Sequence, residues 1–181
     1  MTAKIILGVT ASVAAKLTAK LVSSLQEIGE VKVLATPKSL YFWDQAKTGA
    51  ELLSDADEWP GERYVKDQPV PHIALGEWAD ALVIAPLSAN TLSKMAVGIA
   101  DNLLTCTYCA WPVGKPVLFA PAMNTRMWDN PLTQEHVGVL LKRRYHHHVP
   151  PVEKMLACGT KGMGAMADIA AIADAVRRLF P

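Results

Sequence analysis

The chain has 181 residues, 51% of them hydrophobic and 19% charged, with a formal net charge of +1. That balance suits one globular domain spanning 1–181 and argues against a disordered segment. Near-neutral charge, with Lys142-Arg143-Arg144 as the one basic run, argues against a nucleic-acid partner; no apolar stretch reaches the roughly 18 residues that a membrane span needs.

Taken in chain order, residues 4–9 form an apolar run and read as a buried strand. The opening MTAKIILGVTASVAAK resembles a signal peptide only superficially. Thr10 and Ser12 interrupt its apolar run, and it reads as strand, turn and helix start of the mature fold. Residues 12–27 predict a helix with Val13, Leu17, Leu21 and Leu25 on one face. Gly29 marks its end, and 31–35 is a second strand. Residues 45–71 carry acids and prolines and read as loop with short helical pieces, with Asp55, Asp57, Glu58 and Glu62 facing solvent. The runs 81–85 (ALVIA) and 116–120 (PVLFA) are two more wholly apolar strands. Residues 146–164, with Pro150, Pro151 and three glycines, predict an irregular, functional, mobile loop of the lid type. A helix over 168–180 closes the chain, with Ile169, Ile172, Val176 and Leu179 inward. Strands apolar on both faces, with helices between them, require a parallel sheet covered on both sides. The expected fold is therefore α/β, a doubly wound parallel sheet flanked by helices.

In such a sheet the ligand sits beyond the carboxyl ends of the strands, so the turns there matter most. The first, G-V-T-A-S-V-A-A-K, lacks the G-x-G-x-x-G of a dinucleotide site. Ser12 can cap the following helix, as an ordinary N-cap or as part of a phosphate site. PLSANT (86–91) opens another helix and sets Ser88, Asn90 and Thr91 where an anion can bind. Two such turns favour a mononucleotide over a dinucleotide. In PAMNTRMW (121–128) Asn124 can donate its amide to a carboxylate, while Met127 and Trp128 read from context as packing. His72, in PHIALGEWAD, reads by its own context as a structural histidine more readily than a functional one. Cys158, in LACGTKGMGAM, is flanked by glycines and reads as an approachable thiol. Three cysteines, an odd number, point to thiols in a reducing, cytoplasmic setting. Cys106-x-x-Cys109 lies in an apolar helical run without a second pair, which is weak evidence for metal or redox chemistry. His146, His147 and His148 would alternate faces in an extended segment and read as solvated loop, with no metal site.

Together, and in this order, TASVAAK, PHIALGEWAD, APLSANT, ADNLLT, PAMNTRMW and ACGTKGMGAM resemble the homo-oligomeric flavin-containing cysteine decarboxylases. The resemblance runs from about residue 5 to residue 168. It looks nearest to the stand-alone group whose substrate is 4′-phosphopantothenoylcysteine. The resemblance implies a Rossmann-like fold, bound flavin mononucleotide (FMN), and trimers or multiples of three with active sites at subunit interfaces. It implies a small-molecule substrate decarboxylated through thioaldehyde and enethiol intermediates. It matches His72 to the catalytic histidine, Asn124 to the substrate-positioning asparagine and Cys158 to the reducing cysteine. It matches Ser12, Thr36, Phe42, Ser88, Asn90 and Thr91 to FMN contacts, and Asn124, Met127, Ala157 and Gly159 to substrate contacts. Three positions depart from the family pattern: Ala11 for the usual glycine, Glu77 for a basic residue, Thr160 for an acid. Two other expectations compete with this one. The first is oxidative decarboxylation of a C-terminal peptidyl cysteine, against which Cys158 speaks. The second is a flavin-binding, phosphatase-inhibiting regulatory subunit, whose long acidic extensions this chain lacks.

Overall fold

The computed structural model describes residues 2–155, 157, 159 and 161–180. The chain opens on β1 (Ala3–Val9), where Ile5, Leu7 and Val9 enter one core and Ile6 the other, the period-two alternation of a strand buried on both faces. A 3₁₀ turn over Val13–Leu17 leads into α1 (Thr18–Gln26). The helix expected over 12–27 thus begins as a tighter turn, and Val13 is exposed instead of joining the apolar face with buried Leu21 and Leu25. β2 (Gly29–Ala35) follows. Gly29 does not end the helix but begins the strand, at a position where a Cβ would lie 2.1 Å from the Ala3 carbonyl oxygen.

Past two 3₁₀ turns come β3 (Glu51–Leu53), α2 (Asp55–Glu58), α3 (Pro71–Trp78) and β4 (Ala81–Leu87). Then follow α4 (Ala89–Val97), α5 (Leu103–Cys109), β5 (Val117–Pro121), α6 (Thr125–Trp128) and α7 (Pro131–Leu141). The chain finishes with β6 (His146–His148), β7 (Val152–Met155), β8 (Lys161–Ala165) and α8 (Ile169–Arg177). The main sheet has the order β3-β2-β1-β4-β5-β6 and every pairing in it is parallel. The expected doubly wound sheet is therefore the one that forms. One core packs α1 and α8 against Ile5, Leu7, Val33 and Val83; the other packs α4, α5 and α7 against Ile6, Leu82, Ile84 and Phe119. Among the described residues no helix is long and apolar enough to cross a membrane.

Three segments differ from expectation. Residues 45–71 contain the short helical pieces but also β3, an edge strand paired to β2. The histidine run is not solvated loop: it is β6, in register with β5 as Val117↔His146, Leu118↔His147 and Phe119↔His148. His148 stacks on Phe119 with centroids 5.0 Å apart, and burial holds its imidazole below the usual histidine range. The stretch 146–164 is likewise more regular than expected, since after β6 it enters the antiparallel β7–β8 hairpin.

Candidate active site

Strand order reverses between β1 and β4, so the crevice past their carboxyl ends is the topological switch point where α/β sheets bind ligands. Thr10, fully buried, staples the two turns there. Its N–H and Oγ1 both donate to the Pro86 carbonyl (3.3 and 2.7 Å), and Oγ1 accepts the Ser88 N–H (2.7 Å). Ser12 caps the first 3₁₀ turn, its Oγ accepting from Ala14 N–H at 3.4 Å. Ser88 caps α4, its Oγ accepting from Thr91 N–H at 3.3 Å and lying 3.4 Å from Thr91 Oγ1. Ala89 and Asn90 occupy the first two positions of that helix, so their N–H groups have no acceptor within it. Such donors, with the helix dipole behind them, favour an anion. On the other side Thr36 donates its N–H to Val9 carbonyl at 3.0 Å, tying the β2 turn to β1.

Two clefts adjoin here. The larger, about 730 Å³, is lined by Ser12, Phe42, Ser88, Asn90, Asn124 and Met127, and also by Ala157. The smaller, about 520 Å³, is lined by Thr36 and Thr91 and shares Ala11, Ser88 and Asn90 with the first. Both volumes fall in the roughly 300–1,000 Å³ range of small-molecule and cofactor sites. All six expected FMN contacts and three of the four expected substrate contacts thus line one cleft or the other. Gly159, at φ +80°, lines neither. Cys158 and Thr160 lie outside the described residues. Lys16 and Lys154 also line the larger cleft, and no carboxylate among the described residues does. Neither lysine stood out in the sequence, because single lysines carry no motif. In the smaller cleft Lys94 pairs with Asp101 at 2.5 Å and holds that carboxyl below its usual range. Glu77, the departure that bears on an anionic ligand, is exposed on α3 and lines neither cleft.

Asn124 is the N-cap of α6, its Oδ1 accepting from Arg126 N–H at 2.9 Å. The β8 strand lies on this turn: Met123 N–H donates to Gly164 carbonyl at 2.9 Å, and Gly162 faces the Thr125 side chain so closely that a Cβ would come within 2.3 Å of Oγ1. The hairpin that carries the A-C-G segment is therefore seated on the asparagine turn.

His72 lies in the first turn of α3 and lines neither cleft. Its Nδ1 is 2.5 Å from Glu58 Oε1, and its backbone N–H donates to Glu58 Oε2 at 3.1 Å. Glu58 is thus no solvent-facing acid; its side chain is 7% exposed. Asp55 is likewise committed, accepting from Leu103 N–H at 2.9 Å at the start of α5. Sequence reading missed Glu58 because an acid in an acid-rich segment looks solvated until its partner, 14 residues on, is placed beside it.

A doubly wound sheet with two phosphate-competent turns at its switch point defines a mononucleotide-binding α/β protein. The flavoprotein family profile matches residues 1–180, and the chain belongs to that family. It is 46% identical over 179 residues to phosphopantothenoylcysteine decarboxylase of Mus musculus, covering 98% of this chain and 87% of that protein. It is 47% identical over 185 residues to phosphopantothenoylcysteine decarboxylase HAL3 of Malus domestica, covering 98% and 83%. Among solved structures it is similar to a cysteine-to-serine mutant of PPC decarboxylase complexed with pantothenoylaminoethenethiol, with TM-score 0.94, 43% identity and 99% of each chain covered. The FMN binding protein AtHal3 matches with TM-score 0.90 and 43% identity, over 99% of this chain and 97% of that one.

Proposed function

We infer that this chain is an FMN-dependent decarboxylase that converts 4′-phosphopantothenoylcysteine to 4′-phosphopantetheine in coenzyme A biosynthesis. The observation that carries this reading is the meeting of Ser12, Ser88, Asn90 and Asn124 at one cleft, in a chain that aligns over 98% of its length with a decarboxylase of that substrate. The donor set fits FMN. The Ala89 and Asn90 amides with the Ser12, Ser88 and Thr91 hydroxyls suit one phosphate and a polyol, Thr36 extends the polar wall, and Phe42 offers an aromatic surface to a flavin ring. Bound FMN would supply the electron chemistry, accepting a hydride from the cysteine moiety so that departing CO₂ leaves its electrons in a C=S sink, and returning it at the end.

The protein's own part is orientation and proton handling. The Arg126 amide holds Asn124 Oδ1, which fixes the side-chain rotamer, and an asparagine amide is chemically suited to meet the substrate carboxylate. Lys16 makes the cleft attractive to an anionic substrate, while Lys154, which also lines it, is paired with Asp168 at 2.6 Å. Met127 and Ala157 form an apolar wall beside Asn124, with Gly159 following in the same loop. His72 takes the thiol proton, and Cys158 gives a proton back when the enethiol is reduced. The same reading makes the enzyme a homotrimer or a multiple of three, working in the cytoplasm. In its support, His72 lines neither cleft of its own chain, and Trp59, Val70 and Ile73 expose apolar surface next to Glu58 and His72 in the chain. A second copy docked there would bring His72 to its neighbour's cleft. The free thiols of Cys106 and Cys109 suit a reducing compartment.

Mass spectrometry of the product formed from 4′-phosphopantothenoylcysteine tests the reading. Loss of CO₂ alone is expected. Loss of CO₂ and two hydrogens would mark an oxidative enzyme, and an unchanged substrate with FMN bound would overturn the assignment. An active species sedimenting as a monomer would overturn the assembly.

A further inference from the structure

We propose that Glu58 is the positioning residue of His72, setting its tautomer so that Nε2 is the atom that takes the substrate thiol proton; this rests on the reading of His72 as the base. Glu58 is the last residue of α2, which is itself held by the capping box between Ser54 and Asp57. Its two oxygens are divided between the two halves of one residue: Oε2 accepts the His72 backbone N–H at 3.1 Å and Oε1 meets the ring at Nδ1, 2.5 Å away. An ionised carboxylate has acceptors only, so the proton in the second contact must come from Nδ1. The neutral ring is then Nδ1–H, with its lone pair on Nε2. The backbone contact matters equally. The N–H of His72 is one of the first-turn donors that α3 cannot satisfy internally, so Oε2 is held at that donor and Oε1 is aimed by it. The carboxylate cannot swing from the ring without abandoning a half-buried donor.

The surroundings leave this pair to itself. Asp55 is engaged by the Leu103 amide and Asp57 by Ser54. Among the described residues Glu58 has no ion-pair partner but His72, and Nε2 of His72 makes no hydrogen bond while its side chain stays 25% exposed. At the far end of α3 Lys115 Nζ donates to the carbonyls of Gly76, Glu77 and Ala79 at 2.8, 3.1 and 2.7 Å, so the helix bearing His72 is secured at both ends. In the proposed step the substrate S–H bond breaks, an N–H bond forms at Nε2, and the electron pair stays on sulfur. The imidazolium so formed keeps Nδ1–H against Oε1, and its charge is balanced where it appears. A carboxylate oriented on the far nitrogen is the arrangement that fixes a catalytic imidazole in serine hydrolases, here reached with an acid that also holds the histidine's own backbone.

The test combines nitrogen NMR on FMN-loaded, ¹⁵N-histidine-labelled protein with anaerobic rapid mixing, which follows flavin bleaching by 4′-phosphopantothenoylcysteine. Wild-type His72, assigned by its loss in His72→Asn, is expected as the Nδ1–H tautomer. Glu58→Gln keeps the size but offers one acceptor and one donor, so ring and backbone N–H cannot both be satisfied. Its His72 should shift toward Nε2–H, and bleaching should slow by about tenfold or more, up to the ~10²–10⁴ that a general base contributes, with FMN content and substrate KM unchanged. Glu58→Asp, charged but too short to span both contacts, should fall between. A wild-type His72 in the Nε2–H form overturns the proposal without any Glu58 variant, and so decides it even if Glu58→Gln does not hold FMN. An unchanged tautomer in Glu58→Gln also overturns it. A shifted tautomer with unchanged bleaching overturns it differently, by showing that His72 is not the base.

Discussion

Replacing Gly164 by Ala should unseat the β7–β8 hairpin from the asparagine turn. Gly164 has φ +126°, a conformation that L side chains rarely adopt, and a Cβ there would lie 2.4 Å from the Met123 carbonyl oxygen. Backbone atoms cannot give way as a side chain can, so either φ changes or strand and turn separate. A disfavoured φ/ψ costs about 1–3 kcal/mol, and separation forfeits the Met123 N–H to Gly164 carbonyl bond, 2.9 Å long, for about 1 kcal/mol more. The loss should be about 2–4 kcal/mol, which in a chain of this size lowers Tm by roughly 5–15 °C. The next residue after Met123 is Asn124, so activity should fall with the turn while FMN stays bound. Gly138→Ala is the matched control. It lies inside α7 with nothing within 4 Å of its Cβ position, and a helix-interior Gly-to-Ala change should stabilise by about 0.5–1 kcal/mol. Differential scanning fluorimetry of both FMN-loaded variants, with product assays, measures the contrast. If Gly164→Ala melts no lower than Gly138→Ala, the close approach does not constrain the hairpin and the reasoning fails.

Cys158→Ser should bind FMN and lose CO₂ from the substrate but release the enethiol with the flavin left reduced, whereas His72→Asn should stop before CO₂ is lost. Flavin absorbance with product mass analysis separates these blocks, and normal turnover by Cys158→Ser would remove its assigned role. Burial holds the imidazoles of His146 and His148 below the usual histidine value, so the unfolded chain binds the extra protons. Stability should therefore be complete above about pH 6.5 and decline as pH falls through the folded-state values. His148→Phe, which keeps a ring against Phe119, should flatten that decline in Tm measured from about pH 7.5 to 5.5; an unaltered slope would exclude His148 as its source. Lys115→Met strips three carbonyls of one ammonium donor and should cost about 1–3 kcal/mol in denaturant titration, while an unchanged midpoint would show that water replaces the ammonium without loss.

How much was legible without coordinates follows from the range of each force. Wholly apolar runs such as ALVIA and PVLFA declare buried parallel strands, because only strands covered on both faces can be apolar throughout. Polar turns after them, ending in Ser12, Ser88 and Asn124, declare where a ligand can sit, since capping chemistry is local. The tertiary structure alone decided what those local signals meet. β3 is three residues long and reads Glu-Leu-Leu, too short for any periodicity; it is a strand because Val33 lies opposite Leu52 in the sheet. His146 to His148 looks solvated by composition, yet the open edge of β5 recruits it and Phe119 stacks on His148. Glu58 and His72 each belong to unremarkable local patterns, and their contact exists because α2 and α3 both pack against α5. Local sequence chooses the element and its exposed turns; which charges face each other is chosen by packing between elements distant in the chain, where no local preference reports it.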